Sequence, residues 1–225
     1  FKNPPHANIV IFEKIGSGRI TNLILPDKPV FVFDSMLEDI FLGIHVISNF
    51  TLNLNLFKIK SLKNKKSIFR GFVGQLWRIY IFSVIKVINP KIVITLIDNN
   101  SVFHWLCENY EGAEFMAIQN GNRTRAHLNH YKFGYLQHYF SFGDYEKDLF
   151  SELGFKVEKY HPVGSLLAGY YIHEQNLDQD PIYDICVISS WRGNIGNTDD
   201  VKNSMKAMKK LDYLLSRYIQ ETHIK

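Results

Sequence analysis

The hydrophobic positions of the chain fall into short, closely spaced blocks. Residues 7–12 (Ala-Asn-Ile-Val-Ile-Phe) and 30–33 (Val-Phe-Val-Phe) are brief apolar runs, the pattern of strands buried on both faces. Residues 50–57 alternate, with Phe50, Leu52, Leu54 and Leu56 set against Thr51, Asn53 and Asn55. That period of two predicts a strand or an extended edge. Residues 67–88 form the longest helix candidate, closed by Asn89-Pro90, since proline cannot continue a helix.

From residue 92 the order becomes regular. Ile92–Ile97 reads as a strand and Asp98-Asn99-Asn100-Ser101 as a turn with helix-capping residues. A helix is expected over 102–110 and a strand over 114–118, ending at Gln119-Asn120-Gly121. Residues 139–142 predict a short strand, Asp144 the cap of a helix to about Leu153, and Gly154 its stop. A last strand covers 157–163, before Gly164-Ser165. Strand, polar turn and helix repeat, which is the βαβ signature of a parallel sheet. The expected fold class is therefore α/β, a Rossmann-like open parallel sheet with helices on both faces. Its polar turns lie at the carboxyl ends of strands, where such sheets bind ligands.

This first domain spans 1–170. Residues 171–182 are polar and aperiodic and read as a linker. Residues 183–188 (Tyr-Asp-Ile-Cys-Val-Ile) predict a new strand, with a helix from about 199 to 219. Residues 183–225 thus read as the first βα unit of a second α/β domain, incomplete because one such unit cannot bury itself.

Composition narrows the function classes. With 225 residues, 46% of them hydrophobic, the chain can bury a sizeable core. No uninterrupted apolar run approaches the roughly 20 residues of a membrane span. The opening Phe-Lys-Asn-Pro-Pro-His has no signal-peptide pattern, and the expected location is cytoplasmic. The two cysteines, Cys107 and Cys186, sit in apolar stretches outside any CxxC pair, so buried free thiols are expected. The nine histidines form neither HxH nor HExxH, and no metal is expected.

Charge is uneven. No acidic residue lies between Asp39 and Asp98, while Lys58, Lys60, Lys63, Lys65, Lys66, Arg70, Arg78 and Lys86 do. Aromatic residues interleave with them, among them Phe57, Phe69, Phe72, Trp77 and Tyr80. Lys58–Lys86 suits either a core helix with a solvated basic edge or a peripheral contact with an anionic membrane surface. No zinc-finger, homeodomain or RNP-type motif supports nucleic acid as a partner.

Candidate chemistry gathers at the strand ends. Asp98 puts a carboxylate where it can act as general base, or else cap the following helix. Gln119, Asn120, Gly121 and Arg123 offer donors and a close backbone approach to hydroxyl or phosphate oxygens. Gly143 and Asp144 open a helix whose N-terminus can hold an anion or simply be capped. Gly164 and Ser165 close a strand and can line a cleft. Ser189, Ser190 and Arg192 follow the first strand of the second unit, with hydroxyls and a guanidinium suited to a phosphate.

Taken together, Lys91-Ile-Val-Ile-Thr-Leu-Ile-Asp-Asn-Asn100, Phe115-Met-Ala-Ile-Gln-Asn-Gly-Asn-Arg123, Tyr139-Phe-Ser-Phe-Gly-Asp-Tyr-Glu-Lys-Asp-Leu-Phe150, Pro162-Val-Gly-Ser-Leu166 and Tyr183-Asp-Ile-Cys-Val-Ile-Ser-Ser-Trp-Arg192 resemble bacterial surface-carbohydrate biosynthesis proteins of the two-domain GT-B glycosyltransferase type. The resemblance spans roughly 90–192. It implies a GT-B-type N-terminal domain that binds an acceptor glycan or lipid-linked hydroxyl, and a C-terminal domain that binds a nucleotide-sugar of unspecified base. No further cofactor is implied. Gln119-Asn120-Gly121 also resembles the Gln-His-Gly segment of teichoic-acid glycerophosphotransferases. Asn120 stands where the histidine base would be, which leaves Asp98 as the expected base. The rival expectations are a non-catalytic sugar- or nucleotide-binding scaffold and a glycerophosphotransferase with a CDP-linked donor.

Overall fold

The computed structural model describes residues 2–35, 40–56, 65–123, 125, 134–174 and 199–222. Six strands form one all-parallel sheet: β1 (Ile9–Phe12), β2 (Phe31–Phe33), β3 (Ile92–Thr95), β4 (Glu114–Ile118), β5 (Tyr135–Ser141) and β6 (Lys156–Pro162). Their order is β2-β1-β3-β4-β5-β6. The helices are α1 (Ser17–Leu23), α2 (Ile44–Leu52), α3 (Lys65–Ile88), α4 (Ser101–Asn109), α5 (Tyr145–Glu152), α6 (Leu166–Glu174) and α7 (Asp199–Thr222).

The strands explain why the sequence blocks are apolar throughout. Val10, Phe12, Val93, Phe115 and Ala117 point into one core, with Val46 of α2, Ile81 and Ile85 of α3, Phe103 of α4 and Phe150 of α5. Ile11, Ile94 and Ile118 point into the other, with Ile20 of α1 and, partly buried, Leu166 of α6. Alternate residues serve opposite faces, so both faces are covered by helices. This is the Rossmann-like open parallel sheet expected. The chain divides into two compact units at Tyr171, and the whole sheet belongs to the first. The second contains α7. The expected strand at 183–188 lies outside the described residues, and α6 runs through the first four positions of the expected linker.

Several ends were correctly placed by local chemistry. Asn89 adopts φ 56°, and its amide closes onto Ile85 at 2.9 Å before Pro90 stops α3. Gly154, at φ 76°, ends α5 in a Schellman motif. There Phe155 N donates to Phe150 O at 2.9 Å and Gly154 N to Ser151 O at 3.2 Å, and the two phenylalanine rings stack.

The alternation does not make a strand over 50–56, and residue 57 lies outside the described residues. Residues 50–52 complete α2, and Asn53–Leu56 is a 3-10 turn. Polar side chains here bond back to preceding carbonyls. Asn49 donates to His45 O, Thr51 to Ser48 O and Asn53 to Asn49 O, at 2.6–2.9 Å. β5 begins at Tyr135, four residues earlier than expected, because Leu136 is buried and Gln137 accepts from Phe115 N at 2.8 Å.

Residues Gly71–Ile88 of α3 are apolar and long enough to cross a membrane by length and composition. Their C-terminal half is core: Ile79, Ile81, Val84, Ile85 and Ile88 are fully buried. The N-terminal half differs, with Phe72 and Val73 exposed.

Candidate functional site

Two polar groupings occupy the carboxyl edge of the sheet. The first joins β3, β4 and β5. Asp98 follows β3, and 1% of its side chain is exposed. Arg123 grips it with two nitrogens: Nε donates to Oδ2 at 2.9 Å and Nη2 to Oδ1. The Tyr139 hydroxyl donates to Oδ2 at 3.0 Å. Arg123 Nη2 also donates to Asn120 Oδ1 at 2.8 Å. Burial, with the Asp98 carboxylate alongside, pushes proton loss from Tyr139 far up, so its hydroxyl stays a donor. Behind this cluster Gln119 Nε2 donates to Glu146 Oε1 at 2.7 Å and to Gly121 O at 3.0 Å, while its Oε1 accepts from Phe142 N at 2.7 Å.

The structure therefore brings Asp98, Asn120 and Arg123 into one hydrogen-bonded cluster, with Gln119 and Gly121 in a second set of bonds beside it. These bonds lock the 119–123 loop to the sheet. Asp98 does not cap α4. That role falls to Asn100, whose Oδ1 accepts from Val102 N and Phe103 N at 2.8 and 3.2 Å. Asp144 is exposed at the N-cap position of α5; its carbonyl accepts from Lys147 N at 3.0 Å, but its side chain makes no capping bond, against expectation. Gly143 O accepts from Ser141 Oγ at 2.9 Å. Gly164, at φ 86°, and Ser165 stand at the end of edge strand β6, where Ser165 Oγ accepts from Ala168 N at 3.3 Å. Ser189, Ser190 and Arg192 lie outside the described residues.

The second grouping was not singled out in the sequence. The strand order reverses between β1 and β3, and in open α/β sheets the ligand crevice opens outside the carboxyl ends at that point. Glu13 stands there, directly after β1. It adopts φ 82° and is 4% exposed. A non-glycine residue held at positive φ costs of order 1 kcal/mol or more, and such residues cluster at functional sites. Its Oε1 accepts from Ser35 Oγ and from Asn100 Nδ2, the latter at 2.7 Å. Burial pushes the Glu13 carboxyl up; the Ser35 bond opposes this, and the neighbouring Asp34 carboxylate adds to it. A carboxyl held above its ordinary value is a stronger base than an exposed carboxylate.

Ser35 and Asn100 also line a cavity of about 960 Å³, walled mainly by α2 and α3. Among the described residues its other lining side chains are hydrophobic or aromatic, Trp77 and Tyr80 among them, and these two stack at 5.0 Å. A sealed void of that size, at about 24 cal/mol per Å³, would cost on the order of 20 kcal/mol. That exceeds the roughly 5–15 kcal/mol total stability of a domain. The space is a crevice open to the surface, of the size and lining that ligand clefts have.

The signal for Glu13 was weak in the sequence. A carboxylate directly after an apolar strand is visible there, but the switch point is known only once the strand order is. Among the described residues no group of three or more His, Cys, Asp or Glu is arranged to hold a metal. Burial pushes the Cys107 thiol up to about 12, so it is no nucleophile at neutral pH. No family model, curated protein or solved structure matches the chain.

Proposed function

We propose that the chain transfers a sugar from a nucleotide-sugar to the hydroxyl of a surface-polysaccharide or lipid-linked acceptor, working at the inner face of a membrane. One observation carries this reading. A buried carboxylate, strained at φ 82° and bonded to Ser35 and Asn100, stands at the switch point of the sheet beside a large crevice. Ser35 and Asn100 meet the acceptor hydroxyl. Its proton passes to Glu13 as its oxygen bonds to the anomeric carbon and the nucleotide leaves with the electrons of the old bond. Asp98 was the base expected from the sequence. Both its oxygens are engaged by Arg123 and Tyr139, so its part in this reading is to position the 119–123 loop. Ser189, Ser190 and Arg192 keep the proposed role of binding the donor phosphate.

The test is a transfer assay with UDP-, GDP- and CMP-linked sugars and hydroxylated acceptors. Glu13→Gln should lower kcat by about 10²-fold or more, with unchanged circular dichroism. The acid limb of wild-type kcat/KM should lie above the ordinary carboxylate range, because Glu13 is pushed up. A Glu13→Gln protein as active as wild type contradicts the assignment.

A further inference from the structure

The described lining of the cavity divides by chemistry into an apolar part from α2 and α3 and a polar pair that meets at Glu13. Val46, Ile47, Phe50, Val73, Leu76 and Trp77 line the apolar part. The hydroxyl of Tyr80, also a lining residue, accepts from Phe41 N at 2.8 Å. Ser35 and Asn100 supply the polar part, and both donate to Glu13. An occupant that suits both parts is an amphiphile, with a hydrocarbon chain along the helices and a hydroxylated head at the sheet edge.

The rim points to where such a molecule comes from. Ile47 and Val73 line the cavity yet are 43% and 48% exposed. Ile44, Leu52, Phe69 and Phe72 are exposed on the same two helices. From residue 40 to 97 the sequence has no carboxylate, and it carries eight lysines and arginines between Lys58 and Lys86. An apolar rim within a basic, acid-free stretch complements an anionic lipid surface. A soluble glycan would gain nothing from it.

We infer that the cavity holds the hydrocarbon chain of a lipid-linked acceptor, drawn from an anionic bilayer, so that its head group reaches Ser35 and Asn100. Naming this ligand the acceptor rests on the glycosyl-transfer reading; its binding does not.

Decyl glucoside below its micelle-forming concentration, and glucose alone, are titrated calorimetrically into the full chain. Sedimentation with phosphatidylglycerol vesicles, against phosphatidylcholine vesicles, reads the bilayer arm. Saturable binding is expected for decyl glucoside and none for glucose. Binding should weaken about tenfold or more in Val73→Trp, which fills the cavity from an exposed position, and in Ile47→Glu, which charges the rim. Ile47→Glu should also reduce sedimentation with phosphatidylglycerol vesicles. Unchanged affinity in both folded variants overturns the inference. So does a folded wild-type chain that binds no decyl glucoside, or a rim that light scattering shows buried in a dimer. Decyl glucoside binding without any sugar transfer removes the transferase reading and keeps the cavity assignment. Transfer to soluble glycans without decyl glucoside binding does the reverse.

Discussion

Asp98 and Arg123 form a buried pair whose partners are all internal. Removing one member of such a pair leaves an uncompensated charge in a poorly solvated place. Asp98→Asn should therefore destabilise the protein by about 3 kcal/mol, read as a lower midpoint in urea. An unchanged midpoint contradicts the structural role assigned to it. His104 offers a second test. It contacts Asp98 O through Nε2 at 2.7 Å, and burial holds its imidazolium form below the ordinary range. The unfolded chain therefore binds this proton first as pH falls, and stability drops below about pH 6.5. The slope of unfolding free energy between pH 7 and 5 should be smaller in His104→Asn than in wild type. The polarity of the strand-end residues was legible in the sequence, but their partners were not. Asp98 meets Tyr139 across 41 positions and Glu13 meets Asn100 across 87, and local spacing carries no record of pairings that distant.

α3 joins two environments in one helix. Ile85 is fully buried in the main core, whereas Phe69 is 69% exposed. Ile85→Ala should cost about 2–5 kcal/mol. Phe69→Ser should stay within about 0.5 kcal/mol. Equal losses in calorimetric melting would contradict the division of the helix into a core half and a surface half. Elements with strong end signals were legible. α3 and α5 stop at Asn89-Pro90 and Gly154 because those residues accept the backbone angles a helix end requires. The alternation over 50–57 predicts a strand or extended edge where α2 ends and a 3-10 turn follows, because polar residues at alternate positions look alike whether or not they bond back to a preceding carbonyl. Only the bonds from Asn49, Thr51 and Asn53 distinguish the two.

At the scale of the whole first unit, function depends on which end of the sheet holds the ligand and where along it. The polar turns that follow each strand are legible in the sequence, and they point to the carboxyl end. The position along the sheet is not legible there, because the reversal between β1 and β3 is a property of strand order. In the proposed reading that reversal favours Glu13, Ser35 and Asn100 over the Asp98–Arg123 cluster, because they stand at it, beside the crevice of α2 and α3. The two locations make different predictions for one experiment. Amide hydrogen exchange of the full chain, with and without decyl glucoside, separates them. The account predicts slowed exchange at residues 33–35 and along α2 and the 73–80 segment of α3, with residues 119–123 unaffected. Slowed exchange confined to 119–123 and 143–145, with α2 and α3 unchanged, would contradict it.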